Sequence, residues 1–275
     1  QGAVVNAPML NLEVGAQHLG YVWPILFITV ACGAISGFHA LVAGGTSSKQ
    51  ISRESAAKKI GYGSMLLEAL FSVGVVIAVG CGLNFSRYIQ IVFPTDPAIQ
   101  SNPVLAFSMG VGGMLEQSLG IPSYYGTVFG TLLIAGFLAT TIDAAVRLNR
   151  YLLEELWASI FRRPPALLRS YFFNSFLCVG TMFLLGYTNA FLSIWPIFGS
   201  ANQLLAALTL LGIAVWLFRK GKQYLFLIYP ALFMMVTALL ALIYLLFKVY
   251  GPKGNVTLIA VDLILIGLAL GVLFL

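Results

Sequence analysis

Charge, cysteine and histidine are all scarce in this chain. Only 9% of its 275 residues are charged, fifteen Lys or Arg against nine Asp or Glu, where a soluble domain carries about 25%. Cysteine occurs three times, at Cys32, Cys81 and Cys178. An odd set placed in apolar stretches argues against a disulfide framework and reads as small apolar packing. Histidine occurs twice, and no Cys/His cluster has metal-ligand spacing. There is no GxxxxGK[ST] phosphate loop and no nucleophile motif. Nothing therefore points to ATP hydrolysis or covalent chemistry, and the expectation is a protein that is not an enzyme and carries no cofactor.

What the chain has in abundance is apolar length. It is 60% hydrophobic, and stretches of about 20 apolar residues, enough to cross a bilayer, can be drawn at Val22–Gly44, Tyr62–Leu83, Tyr124–Val146, Tyr171–Tyr187, Ile194–Phe218, Leu225–Phe247 and Val256–Leu275. Seven spans predict an all-α integral membrane protein with its termini on opposite sides. Twelve of the fifteen basic residues fall in the segments after the first, third and fifth spans, from Lys49, Arg53, Lys58 and Lys59 through Arg147–Arg169 to Arg219, Lys220 and Lys222. Basic loops stay cytoplasmic, so the N-terminus is placed outside and the C-terminus inside. The net charge of +6 then reports topology, and no nucleic-acid partner is expected.

The first span is unusual. Between Ala31 and Ser47, twelve of seventeen residues are Ala, Gly, Ser, Thr or Cys, and each Gly weakens a helix by about 1 kcal/mol relative to Ala. Ser36 and His39 add polar groups at a depth where they are costly. A spanning segment interrupted in this way marks a substrate site in secondary transporters. The alternative is a close helix–helix contact through Gly33 and Gly37. The segment is expected to be two half-helices, interrupted between Cys32 and His39.

Further along, Val104, Phe107, Val111, Met114 and Leu115 recur at helical spacing between Pro103 and Pro122. They predict a short amphipathic helix on the external face, either a lid or a packed connector. The third span runs on without Pro toward Trp157. It carries Thr140 and Thr141, whose hydroxyls either serve a site or bond back to their own helix. Asp143 and Arg147 on the same helix are spaced i, i+4, which suits a salt bridge. The fifth span opens with Ser200, Asn202 and Gln203, polar groups that need partners in a membrane. Glu68 is a lone carboxylate in the second span. Asp262, near the outer end of the last, is assigned a wet, structural place.

The blocks ITVACGAISGFHALVAGGTSSKQ and IGYGSMLLEAL, then FLATTIDAAVRLNRYLLEEL and IWPIFGSANQLLAALTLL, resemble the carbon starvation protein A family of bacterial inner-membrane transporters. The resemblance runs in order over about residues 24–218. It implies proton- or sodium-driven uptake of pyruvate or small peptides when carbon is scarce, on a LeuT-type inverted-repeat fold. This chain then looks like the second repeat from its opening element. Residues 1–21 would be a periplasmic segment, 22–218 the repeat with its broken first helix and an external helix near 103–119, and 219–275 peripheral C-terminal helices.

On that reading Gly33, Ala34, Ser36, Gly37 and His39 line the substrate, with half-helix N–H groups suited to a carboxylate, and Asn202 and Gln203 face the same cavity. Thr140 and Thr141 resemble the paired hydroxyls of a sodium-like site. His39 is the leading proton carrier, with Glu68 and Asp143 next. The coupling ion, Na+ or H+, is left open. A chain that opens at Gln1, outside and without a basic leader, is expected to continue a longer protein whose N-terminal helices, in the same or another chain, complete both sites beside the lipid bilayer. The rival reading is a membrane nutrient sensor built on the same fold.

Overall fold

The computed structural model describes residues 4–8, 20–96, 99–188 and 190–273, so most of the expected periplasmic segment 1–21 lies outside the described residues. The described elements are helical, with no strand among them. The α-helices of six residues or more are α1 (Phe27–Ala34), α2 (Gly37–Val42), α3 (Glu54–Gly82), α4 (Phe85–Val92), α5 (Pro103–Leu119), α6 (Ser123–Ile160), α7 (Tyr171–Tyr187), α8 (Ala190–Arg219), α9 (Leu225–Tyr244) and α10 (Val256–Leu273). Short π-type turns precede α1 and extend α2 and α9.

Four helical stretches are long and apolar enough to cross a membrane: Glu54–Gly82, Ser123–Ile160, Ile197–Arg219 and Leu225–Tyr250. They coincide with four of the seven expected spans. The apolar helices at the other three places, Val22–Ala31, Tyr171–Tyr187 and Val256–Gly271, are shorter. A chain with several such helices is an integral membrane protein.

The chain divides into two compact units. The first comprises residues 1–14 and 50–145 and is built around α3 and α5. The start of α5 is written in its sequence: Asn102 Oδ1 accepts the Leu105 N–H at 3.0 Å, Pro103 occupies the first turn, and Gly120 closes the helix in the left-handed conformation at φ 68°. Its buried face, Phe107 and Val111 with Ala78 of α3, forms one core. Glycine lets these helices approach backbone to backbone. A Cβ on Gly82 would strike the Gly110 carbonyl oxygen, and one on Gly113 would strike that of Gly82. The external helix expected near 103–119 is thus a helix, and its Phe107–Val111 stripe is buried within its own unit.

The second unit comprises residues 15–49 and 146–275. Here α8 and α9 lie side by side around Leu204, Ala207, Met234, Met235 and Ala238, with Ala269 of α10 in the same cluster. Ala207, Ala231, Ala238, Ala241 and Ala269 are fully buried, the small-residue seam by which membrane helices pack closely. The Phe27 and Phe233 rings meet edge to face at 5.4 Å and seat α1 on α9. Cys81 and Cys178 are buried free thiols, consistent with small apolar packing.

Candidate functional site

The apolar first segment breaks where its small residues concentrate. After α1 ends at Ala34, Ile35 (φ −131°, ψ 103°) and Ser36 (φ −119°, ψ 124°) are extended, and α2 begins at Gly37. A two-residue break exposes the first N–H groups of α2 and requires acceptors for them. Ser36 Oγ takes the His39 N–H at 3.4 Å as N-cap. The stronger acceptor comes from 164 residues away: Asn202 Oδ1, on α8, accepts the Phe38 N–H at 2.7 Å. Asn202 Nδ2 and Ser36 Oγ are 3.1 Å apart. One amide therefore caps the half-helix and holds the cap residue, an arrangement worth about 1 kcal/mol or more for each bond.

Gly37 is what lets the amide reach. A Cβ there would lie 2.5 Å from both the Asn202 carbonyl oxygen and Leu205 Cβ, and 2.8 Å from the Ala206 nitrogen. Its place is a tight contact between α2 and α8, so the close helix contact weighed for Gly33 and Gly37 is made by Gly37 alone, beside the break. Ser36, Gly37 and Asn202 are thus brought together, and Gln203 follows on α8. Gln203 is fully buried, and neither amide atom has a hydrogen-bond partner among the described residues.

The other expected lining residues take no part in this knot. Gly33, Ala34 and His39 are exposed, nothing lies within 4 Å of a Cβ on Gly33, and the His39 ring meets the Phe38 ring edge to face at 5.8 Å. The half-helix N–H groups proposed for a substrate carboxylate are partly taken, since those of Phe38 and His39 already have side-chain acceptors within the chain.

In the other unit, Thr140 and Thr141 are exposed on α6, and both hydroxyls donate to the Phe137 carbonyl, at 2.8 and 3.1 Å. This is the back-bonding that threonine makes in helices. It leaves each hydroxyl's lone pairs facing outward as acceptors. Glu68 on α3 and Asp143 on α6 are exposed as well. Among the described residues no group of three His, Cys, Asp or Glu could hold a metal ion.

Asn174 escaped the sequence reading, Arg150 entered it only as a basic charge, and Asp262 was misplaced. Asn174 is fully buried at the start of α7. It accepts the Trp157 indole N–H at 3.0 Å and donates to the Leu168 and Ser170 carbonyls at 2.8 and 3.2 Å. Arg150 lies between the rings of Tyr151 and Tyr171, at 4.5 and 4.2 Å, with Glu154 at 3.6 Å. Asp262 was assigned a wet place and is instead fully buried, because it lies on the face of α10 that packs inward. A lone Asn or Asp in an apolar run signals only that a partner is needed. Which partner it finds is set by pairs far apart in sequence.

Comparison with known proteins gives this arrangement a context. The sequence model for carbon starvation protein CstA matches residues 2–100 and 83–241. A peptide transporter CstA of Helicobacter pylori strain J99 is 31% identical over 255 residues, covering 76% of this chain and 37% of its own length. The peptide transporter CstA of Bacillus subtilis is 32% identical over 224 residues, covering 72% and 37%. The pyruvate/proton symporter BtsT of Escherichia coli K12 is 28% identical over 317 residues, covering 88% and 44%. The chain thus spans about two fifths of the length of these curated relatives. No solved structure matches it.

Proposed function

The chain belongs to the carbon starvation protein CstA family, and from that premise we propose that it is the second-repeat part of an ion-coupled secondary transporter. The cargo is a small carboxylate such as pyruvate, or a short peptide, imported across the bacterial inner membrane. In this reading the seven apolar segments all span, in a LeuT-type arrangement with the N-terminus outside and the C-terminus cytoplasmic. Support comes from the names of the relatives, a pyruvate/proton symporter among them, and from the positive-inside count of basic residues.

One observation carries the reading: a membrane-type helix broken at Ile35–Ser36 and held open by Asn202. A helix interrupted at mid-span offers unpaired backbone groups to a polar solute, and a dedicated amide that stabilises the break keeps it from annealing into a plain span. The solute then meets Gly33, Ala34, Ser36 and His39 beside the break. Gly37 and Asn202 shape the break, and Gln203 backs it. Thr140 and Thr141 supply oxygen ligands if sodium couples, and His39 carries the proton if H+ does, ahead of Glu68 and Asp143. The exposed faces bearing these groups are covered by further helices in the assembled transporter.

The test is uptake of labelled pyruvate and of a dipeptide into membrane vesicles under an imposed proton or sodium gradient. Accumulation above equilibrium that follows one gradient is expected, and equilibration without accumulation would refute coupled transport. Replacing Thr140 and Thr141 together by Val keeps their volume and removes only exposed hydroxyls. It is expected to leave folding intact and to abolish sodium-driven accumulation. Uptake that still tracks sodium in that variant would make the threonines structural.

A further inference from the structure

Most candidate polar groups of this chain are exposed, and their surroundings depend on what else packs there. Asp262 is the one carboxylate that the described residues bury, and the chain does so unaided. Its exposure is 0%, and neither carboxylate oxygen has a hydrogen-bond partner among the described residues. The Tyr250 hydroxyl, on a residue 3% exposed, is likewise without a partner.

Helix α10 aligns Leu258, Asp262, Leu265 and Ala269 on one face, at steps of three and four residues. Leu258, Ile259 and Leu265 pack against the core of Ile197, Leu245 and Tyr250, and Ala269 is buried in the neighbouring core. Asp262 therefore sits within an apolar seam, on the helix whose Leu258, Ile259 and Leu265 pack against the core that holds Tyr250.

An ionised carboxylate held there without a cation is the most costly state open to it. Three things can relieve that cost: a basic partner, a metal ion or a proton. The elements packed on α10 are α8, α9 and the turn Leu245–Tyr250. Besides Tyr250 they carry Arg219, Tyr229, Tyr244 and Lys248 as ionisable groups, and none of these pairs with Asp262. A bare metal ion needs several oxygen ligands, and no acidic or histidine cluster surrounds the site among the described residues. The proton remains.

We propose that Asp262 is a buried proton-binding site, a neutral carboxylic acid in the seam that also buries Tyr250, and that it ionises only when the seam between α10 and the Leu245–Tyr250 turn opens. The site is distinct from the break at Ile35–Ser36 and does not depend on the transport reading. Opening has a natural place at the start of α10, where Gly254 takes φ 62° and Asn255 Oδ1 caps the helix through the Leu258 N–H at 3.3 Å.

The test needs no transport assay. Infrared difference spectra of the full chain in detergent or lipid should show the carbonyl band of a protonated carboxylic acid at neutral pH, and Asp262→Asn should remove it. Since the folded state would hold one proton more than the unfolded, stability should fall as pH rises above the usual Asp range, by up to tenfold in the folding equilibrium per pH unit. The Asn variant should lack that slope. Tyr250→Phe leaves the acid in place and should shift the band, a readout that survives even if the Asn variant fails to fold. An absent band, a band unchanged in Asp262→Asn or in Tyr250→Phe, or stabilisation by sodium that Asp262→Asn abolishes would each overturn the proposal.

Discussion

The two units of this chain bury polarity in opposite ways. In the unit built on α3 and α5, Ser108 is the one buried polar side chain among the described residues, and it donates to the Val104 carbonyl of its own helix at 2.9 Å. The other unit buries Thr46, Arg150, Asn174, Ser200, Asn202, Gln203, Thr237 and Asp262. Several of these bond across elements: Asn202 to Phe38, Asn174 to Trp157. Both units use close contacts at small residues, Gly82 and Gly113 in one and Gly37 in the other, and the second adds side chains that bridge elements. Apposition gives rigidity with no polar group to satisfy. Bridging amides are conditional, since each bond can be exchanged for another partner.

The sharpest way to break this contrast is a methyl group in the apposed unit. Gly82→Ala places a Cβ against the Gly110 carbonyl oxygen and 2.8 Å from the Met114 nitrogen, so α3 and α5 must separate. We expect a loss of at least about 3 kcal/mol, read as loss of folded protein in detergent by size exclusion and thermal scanning. Gly74→Ala, eight residues earlier on α3 with nothing within 4 Å, should instead gain up to about 1 kcal/mol from helix propensity. Equal behaviour of the two would show that apposition does not hold this unit.

The next largest effect belongs to the bridged unit. Asn174→Ala strands the half-buried Trp157 indole N–H and removes the donor to the Leu168 carbonyl, which should cost about 2–3 kcal/mol in thermal stability. Asn202→Ala should cost about 1–2 kcal/mol, the value of a cap. The same substitution should impair uptake more than Asn174→Ala does, because only Asn202 holds the break. Asn202→Asp keeps an acceptor for the Phe38 N–H and should recover part of the stability. Uptake that falls in proportion to stability in all three variants would erase the distinction between structural and functional bridges.

Sequence alone made some of this legible. The break at Ile35–Ser36 could be anticipated because Gly and small residues lower helix propensity locally, a property carried by the segment itself. The place of α5 was readable for the same reason, from its helical spacing between Pro103 and Pro122, while the caps Asn102 and Gly120 were not read. Partnerships were not. Gly37 and Gly33 look alike in sequence, yet one presses on α8 and the other faces open space. Asn202 reads as a polar residue in need of a partner, and nothing in 164 residues of separation names Phe38. Asp262 looked like a helix-end residue because its position along α10 is visible in sequence, while the face it occupies is decided by what packs against that face.

The smallest expected effect is the cleanest control on the comparison. Ser108 is fully buried in α5, so a reader counting buried polar groups would rank it with Asn174. Its hydroxyl, however, bonds only to the Val104 carbonyl four residues back, a group that the helix already satisfies through its own N–H. Ser108→Ala removes donor and hydroxyl together and strands nothing. The new methyl occupies less space than the side chain it replaces, and alanine favours the helix slightly. We therefore expect a change within about 0.5 kcal/mol and unaltered uptake, measured beside Asn174→Ala in the same detergent. A loss comparable to that of Asn174→Ala would mean that the Ser108 hydroxyl has a partner outside its own helix, and the division between an apposed unit and a bridged one would fail at its only polar test.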